Sequence, residues 1–285
     1  LFRSSSGRFL RKVRSTTISR DISVANKEVT IDVDADFSLD PTIGLRACAA
    51  AAQLGLPISM DSLERLSNSL KTGVGDLPNP WPRDARENLI SLIGAGSAMV
   101  QIFEALDQEE IIFHWIPEWR AVRSLPQRNV LHRHTVDRHM VETAVFAAAL
   151  TRNVHRPDLL LFAALFHDIG KPKTRAIHKG KGITFHHHEV VGARMTEKIL
   201  RNLAFPVKTI ENVVKLVRWH MFFSDPEQIT LSAVRRTITR IGEDHIEDLL
   251  NLRVCDRIGT GRPKEQPFRF RKYKAMVDEA LRDPI

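Results

Sequence analysis

An adjacent His167-Asp168 pair closes the apolar run Leu159–Phe166 and leads into Ile169-Gly170-Lys171. Such a pair offers one cation a neutral nitrogen and an anionic oxygen from neighbouring residues. More ligand types lie around it: His139 upstream, then His188, His220 and Asp256 downstream. A mixed His and carboxylate set suits manganese, iron, zinc or cobalt better than an all-oxygen calcium cage. One or two such ions, manganese first among them and magnesium also allowed, can activate water near neutral pH and polarise a phosphoryl oxygen. The chemistry expected is phosphate-ester hydrolysis, with His167, Asp168 and Lys171 as catalytic residues. His139, His167, Asp168 and Asp256 are assigned to the first ion, and His188 and His220 to a second position or to phosphate. Lys171, three residues past Asp168, can bring a point charge to the phosphate. Arg194, six residues past His188, is the other candidate phosphate holder, with an ion pair to a nearby Glu as its plain alternative.

The remaining candidates read as ordinary residues. Asp244 and Asp248 compete with Asp256 but read as solvated helix charges. His186 and His187 are not both expected to be ligands, His132 and His134 fall in an approach loop, and His155 and His245 read as surface. No rival nucleophile system stands out. Cys48 and Cys255 have no His nearby in sequence, and the Gly-x-Ser-x-Gly, P-loop and dinucleotide signatures are missing.

To converge, these residues need helices that end at one rim of a bundle, a recurrent setting for metal sites. The pattern supplies them. Met140, Val141, Ala144, Val145 and Ala148 form one apolar face; Leu159–Phe166 is apolar all round, as a buried central helix should be. Apolar faces also recur through residues 190–200 and 207–217, with Leu231–Ile241, Ile246–Ile258 and Phe270–Leu281 following. Thr174–Phe185 carries Lys179-Gly180-Lys181-Gly182 and reads as a hairpin or loose loop. Upstream, Asp40-Pro41 opens a helix that Gly55-Leu56-Pro57 stops, and Ser59–Leu70, Arg83–Leu92 and Ala98–Leu106 (capped by Ser97) follow. The fold class expected is all-α: a helical bundle with a preceding helical platform and one short hairpin or loop insertion. The divisions are a basic linker over 1–38, a platform over 39–125 and the hydrolase region over 126–285. Within the linker, Val29, Ile31 and Val33 allow one short strand, and Asp32, Asp34 and Asp36 an exposed acidic strand.

The 285 residues carry a formal charge of +8, concentrated at residues 3–20 and 257–274. A basic surface favours phosphate-rich partners. No apolar run reaches the ~18–20 residues needed to span a bilayer. Two distant cysteines fit a reducing cytoplasm. The first residue is not Met, and the expectation is a fragment of a longer nucleotide-handling enzyme.

The pattern His139…His167-Asp168…Asp256 resembles the HD superfamily of metal-dependent phosphohydrolases, over about residues 130–260. Glu104-Ala105-Leu106-Asp107-Gln108, Pro117-Glu118-Trp119, and Pro126-Gln127-Arg128-Asn129 with the run His132–His139 look like the PII uridylyltransferase/uridylyl-removing family. The stretch Asp32–Leu56 is similar to what precedes the HD domain there. Downstream, His167-Asp168-Ile169-Gly170-Lys171-Pro172, Gly182–Glu189 and Cys255-Asp256-Arg257-Ile258-Gly259-Thr260-Gly261-Arg262-Pro263 look more like bacterial tRNA (CCA-adding) nucleotidyltransferases. The resemblance implies removal of uridylyl groups from PII protein, or phosphatase or cyclic-phosphodiesterase work on tRNA or nucleotide phosphate. A rival of another class is a non-catalytic RNA-binding helical module. It would use Arg257, Arg262, Arg269, Arg271 and Lys272 with interleaved Phe268, Phe270 and Tyr273, although those aromatics can equally be the buried side of the last helix.

Overall fold

The computed structural model describes residues 15–127, 133–152, 154–178, 182–222, 229–261 and 268–282, without the side chains of 268–270. The expected linker carries three strands rather than one. β1 (Thr16–Ser19), β2 (Ile22–Ala25) and β3 (Glu28–Ile31) form an antiparallel sheet in the order β1-β2-β3. Asn26 and Lys27 both adopt positive φ, 53° and 65°, which is the two-residue turn that suits strand twist. Ile22, Val29 and Ile31 are buried and bind the sheet to the helices behind it. β3 ends at Ile31, so Asp32, Asp34 and Asp36 lie in turns and not on a strand. Asp32 accepts a hydrogen bond from the Ser23 hydroxyl.

Four longer helices follow: α1 (Ile43–Leu54), α2 (Met60–Lys71), α3 (Arg83–Ile93) and α4 (Ala98–Gln108). Gly55, at φ 64°, closes α1 in the left-handed conformation, and the Ser59 side chain caps α2 by accepting from the Ser62 amide. Ser97 makes no such cap on α4. Two single turns, α5 (Ile112–Trp115) and α6 (Trp119–Val122), lead to the bundle.

The bundle begins with α7 (Val136–Ala149) and α8 (Pro157–Phe166), then a short α9 (Lys171–Thr174). α8 is buried from Leu159 onward, as an apolar run of one helix length requires. β4 (Ala176–His178) and β5 (Gly182–Thr184) pair antiparallel, where a hairpin or a loose loop was expected. α10 (His188–Asn202), α11 (Val207–Trp219), α12 (Leu231–Ile241), α13 (Glu243–Gly259) and α14 (Phe268–Arg282) complete the fold. α7 packs on α8 and α13, and α10 on α11. On α14, Tyr273, Val277 and Ala280 are buried, so Tyr273 is core rather than a base-stacking platform. No single described helix is long and apolar enough to cross a membrane.

Candidate metal centre

Five of the bundle helices contribute to the site near an end. His139 lies in the first turn of α7, and His167 caps α8 with Asp168 directly after it. His188 opens α10 and His220 caps α11. Asp256 sits one turn before the end of α13. All six are buried, with exposures between 0% and 8%.

They gather as two trios. His139, His167 and Asp256 make one, and Asp168, His188 and His220 the other. In the first, His139 Nε2 lies 3.1 Å from both His167 Nε2 and Asp256 Oδ1. In the second, His188 Nε2 lies 3.2 Å from His220 Nε2 and 3.1 Å from Asp168 Oδ1. The Asp168 carboxylate joins them: its other oxygen, Oδ2, is 3.3 Å from His167 Nε2 and 3.5 Å from His139 Nε2.

The tautomers decide what these contacts mean. Nδ1 of His167, His188 and His220 faces the carbonyl oxygens of Ala164, Phe185 and Val217, at 2.9, 2.7 and 2.7 Å. A carbonyl only accepts, so each Nδ1 carries the proton, and each ring in its neutral form turns a lone pair inward at Nε2. Each partner is the carbonyl three residues back, which helical or turn geometry supplies. Burial pushes His220 down to about 3, helped by His167 and His188 beside it, so that ring is neutral. Two nitrogen lone pairs and a carboxylate oxygen therefore point into the same few ångströms around His188 and His220. A divalent cation reconciles them, and the backbone-fixed Nδ1 atoms are the outer support that histidine ligands require. The donor set thus fits a divalent metal.

Charge balance agrees. Burial opposes ionisation of Asp168, yet His167 and Lys171 hold it well below the usual carboxylate range. Burial likewise opposes ionisation of Asp256, and Arg253 and His139 overcome it. For His167, Asp168 outweighs burial and raises the ring above its ordinary value. Lys171 Nζ lies 2.5 Å from Asp168 Oδ2 and donates to Gln127 Oε1 at 2.6 Å.

A cavity of about 590 Å³ opens onto the second trio. Ile183, Thr184 and Phe185 from the hairpin side, Met221 after α11, and Arg253 and Arg257 on α13 form its rim. Arg194 is exposed on α10 and is not among the residues lining that cavity, so the phosphate role expected for it has no support in the geometry. Asp248 is buried at 7% and held by His245 at 3.6 Å, which corrects its reading as a solvated charge; His245 is itself partly covered. Asp244 and His155 are exposed, as expected. His186 and His187 line the cavity but join neither trio. His134 is partly covered, while His132, Arg262 and the Arg269 side chain fall outside the described residues. Arg271 and Lys272 are exposed on α14. Sequence reasoning missed two groups. Arg253 lies 2.5 Å from Asp256 Oδ2, and its only signal is the spacing of three residues on one helix. Gln127, buried at 2%, stood only within a resemblance motif and not as a site residue, because it meets Lys171 across 44 positions.

The comparisons with known proteins agree with this geometry. Residues 136–258 match the HD domain family. The chain is 40% identical over 232 residues to a bifunctional uridylyltransferase/uridylyl-removing enzyme of Streptomyces coelicolor, covering 78% of this chain and 25% of that protein. It is 40% identical over 266 residues to one of Mycobacterium tuberculosis, covering 90% and 30%. An A-adding tRNA nucleotidyltransferase of Deinococcus radiodurans is 31% identical over 249 residues, covering 85% and 54%. The chain thus spans between a quarter and about half the length of these relatives. Both trios are drawn from the segment, residues 136–258, that matches the HD domain family.

Proposed function

We propose that this chain hydrolyses a nucleotidyl phosphodiester, and specifically that it removes uridylyl groups from PII protein. The inward-facing lone pairs of His188 and His220 beside Asp168 carry the hydrolytic reading, and the uridylyl-removing relatives support the substrate. His139, His167 and Asp256 would hold one divalent ion, manganese as the first choice, and Asp168, His188 and His220 a second. When bound, such ions supply an activated water and polarise a phosphoryl oxygen. The chain's own groups do the rest. The backbone-locked rings keep their lone pairs aimed and save reorganisation at the moment of reaction. Lys171, buried and fixed between Asp168 and Gln127, places a positive charge beside the site where negative charge develops. Arg253 and Arg257 add cationic character at the mouth, which favours a phosphate entering there.

A second reading is hydrolysis of a terminal or cyclic phosphate on tRNA, favoured by the relative that adds A to tRNA. One experiment separates the two. The manganese-loaded chain is incubated with uridylylated PII and with tRNA ending in a cyclic phosphate. Release of UMP from PII is expected, and cleavage of the tRNA alone would overturn the substrate. A His167→Ala, Asp168→Ala double variant is expected to lose at least about a thousand-fold in rate. Full retention by that variant would end the metal-hydrolase reading.

A further inference from the structure

Among the described residues, Asp168, Glu189 and Asp256 are the carboxylates that line the metal cavity, and each has a cation of its own. Lys171 meets Asp168, Arg218 lies 3.7 Å from Glu189, and Arg253 meets Asp256. An arriving phosphate therefore finds no unmatched negative charge there. The cations are not equally placed. Lys171 is closed in: its side chain is 7% exposed and is held by Asp168 and Gln127. Arg218 is not among the residues lining the cavity. Arg253 does line it, and its side chain is 26% exposed.

The helix explains how Arg253 comes to stand there. It precedes Asp256 by three residues on α13, so the two side chains leave one face of the helix about a turn apart. Its Nη1 donates to Asp256 Oδ2 at 2.5 Å. The other carboxylate oxygen, Oδ1, faces the first trio, 3.1 Å from His139 Nε2 and 3.7 Å from His167 Nε2. The two oxygens are thus divided, and Arg253 fixes which of them turns to the ion position. That contact occupies one end of a planar fork with several N–H donors. Arg253 makes no other hydrogen bond among the described residues, and none of its nitrogens is buried without a partner. Its remaining donors are therefore accessible, on a side chain that borders the cavity.

We propose, on the footing of the hydrolytic reading, that Arg253 is a substrate-binding residue. One end of its guanidinium holds Asp256, and the other donates to a non-bridging oxygen of the phosphodiester. This separates the two cations by role. Lys171 acts on the phosphoryl group through its charge, from behind Asp168, whereas Arg253 touches it. A lysine at position 253 can supply the charge beside Asp256, but its ammonium lacks the rigid fork that serves two oxygen partners at once.

Two titrations of the whole chain read the two ends separately. Manganese binding reports the hold on Asp256. Calorimetry of the manganese-saturated chain with UMP and with inorganic phosphate reports the contact to substrate. Arg253→Met is expected to weaken manganese binding by about tenfold, as loss of a group supporting a ligand does. Arg253→Lys should bring manganese binding back to within about threefold of wild type while UMP and phosphate stay about tenfold weaker. Because Arg253→Lys keeps a cation beside Asp256, it remains informative where Arg253→Met fails to fold. Wild-type affinity for UMP and phosphate in Arg253→Lys would remove the substrate contact, as would a wild-type chain that binds neither. Unchanged manganese affinity in Arg253→Met would remove the hold on Asp256. Ligand binding is read without turnover. A chain that binds UMP through Arg253 yet cleaves no diester would count against the hydrolytic reading and leave this contact standing.

Discussion

Lys171 is the residue at which charge can be separated from coordination. Its ammonium contacts Asp168 Oδ2 and Gln127 Oε1 and belongs to neither trio. Lys171→Met should leave the metal content intact while lowering kcat by about a hundredfold, since one fixed charge near the phosphoryl group is lost. Metal analysis beside steady-state kinetics checks this, and loss of metal in the variant would make Lys171 a positioning residue only. At this scale the members of the two trios were legible in sequence as candidate ligands because His and Asp are scarce in apolar surroundings, and each stood at the edge of an apolar run. Gln127 was not legible, because an amide carries no such mark and its partner is set by folding. Arg194 stands near His188 in sequence, yet it is exposed on α10 and outside the lining of the cavity.

Between elements, the tightest constraint is the approach of α9 and α10. A Cβ on Gly170 would overlap the His188 carbonyl oxygen and lie 2.5 Å from the Gly192 amide nitrogen. Those are backbone atoms of the helix that presents His188, so they cannot give way as a flexible side chain would. Gly170→Ala should cost about 2–4 kcal/mol, read from urea unfolding, and should weaken metal binding as well. The entry to α1 offers a gentler test. Asp40 accepts from the Thr42 amide at 3.1 Å and hydroxyl at 2.7 Å, and from Arg46 at 2.7 Å. Burial opposes its ionisation, but Thr42 and Arg46 prevail and set the carboxyl below its ordinary 3.8. Its stabilisation is thus complete above the unfolded value and fades as pH falls through the folded one. Asp40→Asn should lower stability at neutral pH by about 1–2 kcal/mol and narrow the gap to wild type in acid, as thermal melts across pH would record. Helices were legible through their long apolar periods. The sheet was not, because β1 and β2 span only four residues each, and Thr16-Thr17-Ile18-Ser19 carries a single large apolar side chain.

Across the whole molecule, the sequence divides into a platform and a hydrolase region more sharply than the structure does. α3 packs on both α7 and α8, and α4 packs on α7. Leu161, deep in α8, approaches Gly94 at the end of α3. The Arg138 guanidinium on α7 meets Glu104 on α4 and Glu142 on its own helix. Severing the chain between residues 125 and 126 exposes the apolar faces of both parts. The segment 126–285 alone should aggregate or melt at least about 10 °C lower, whereas the intact chain should unfold in one calorimetric transition. The all-α class was legible because the apolar periods of most of the chain are helical. The shared core was not, because which helix faces meet across the boundary is a property of packing rather than of period.

The close contact of Gly170 with His188 has a consequence for how such a protein can diversify. The chain leaves the bundle after Thr174 and re-enters it near Phe185, and both anchoring points are clamped together just behind the excursion. Lengthening, shortening or recolouring the β4–β5 finger leaves the imidazoles and carboxylates in register, at little entropic cost. Yet Ile183, Thr184 and Phe185 border the entrance. Changes in the finger can thus alter what the cavity admits without displacing the side chains of the two trios.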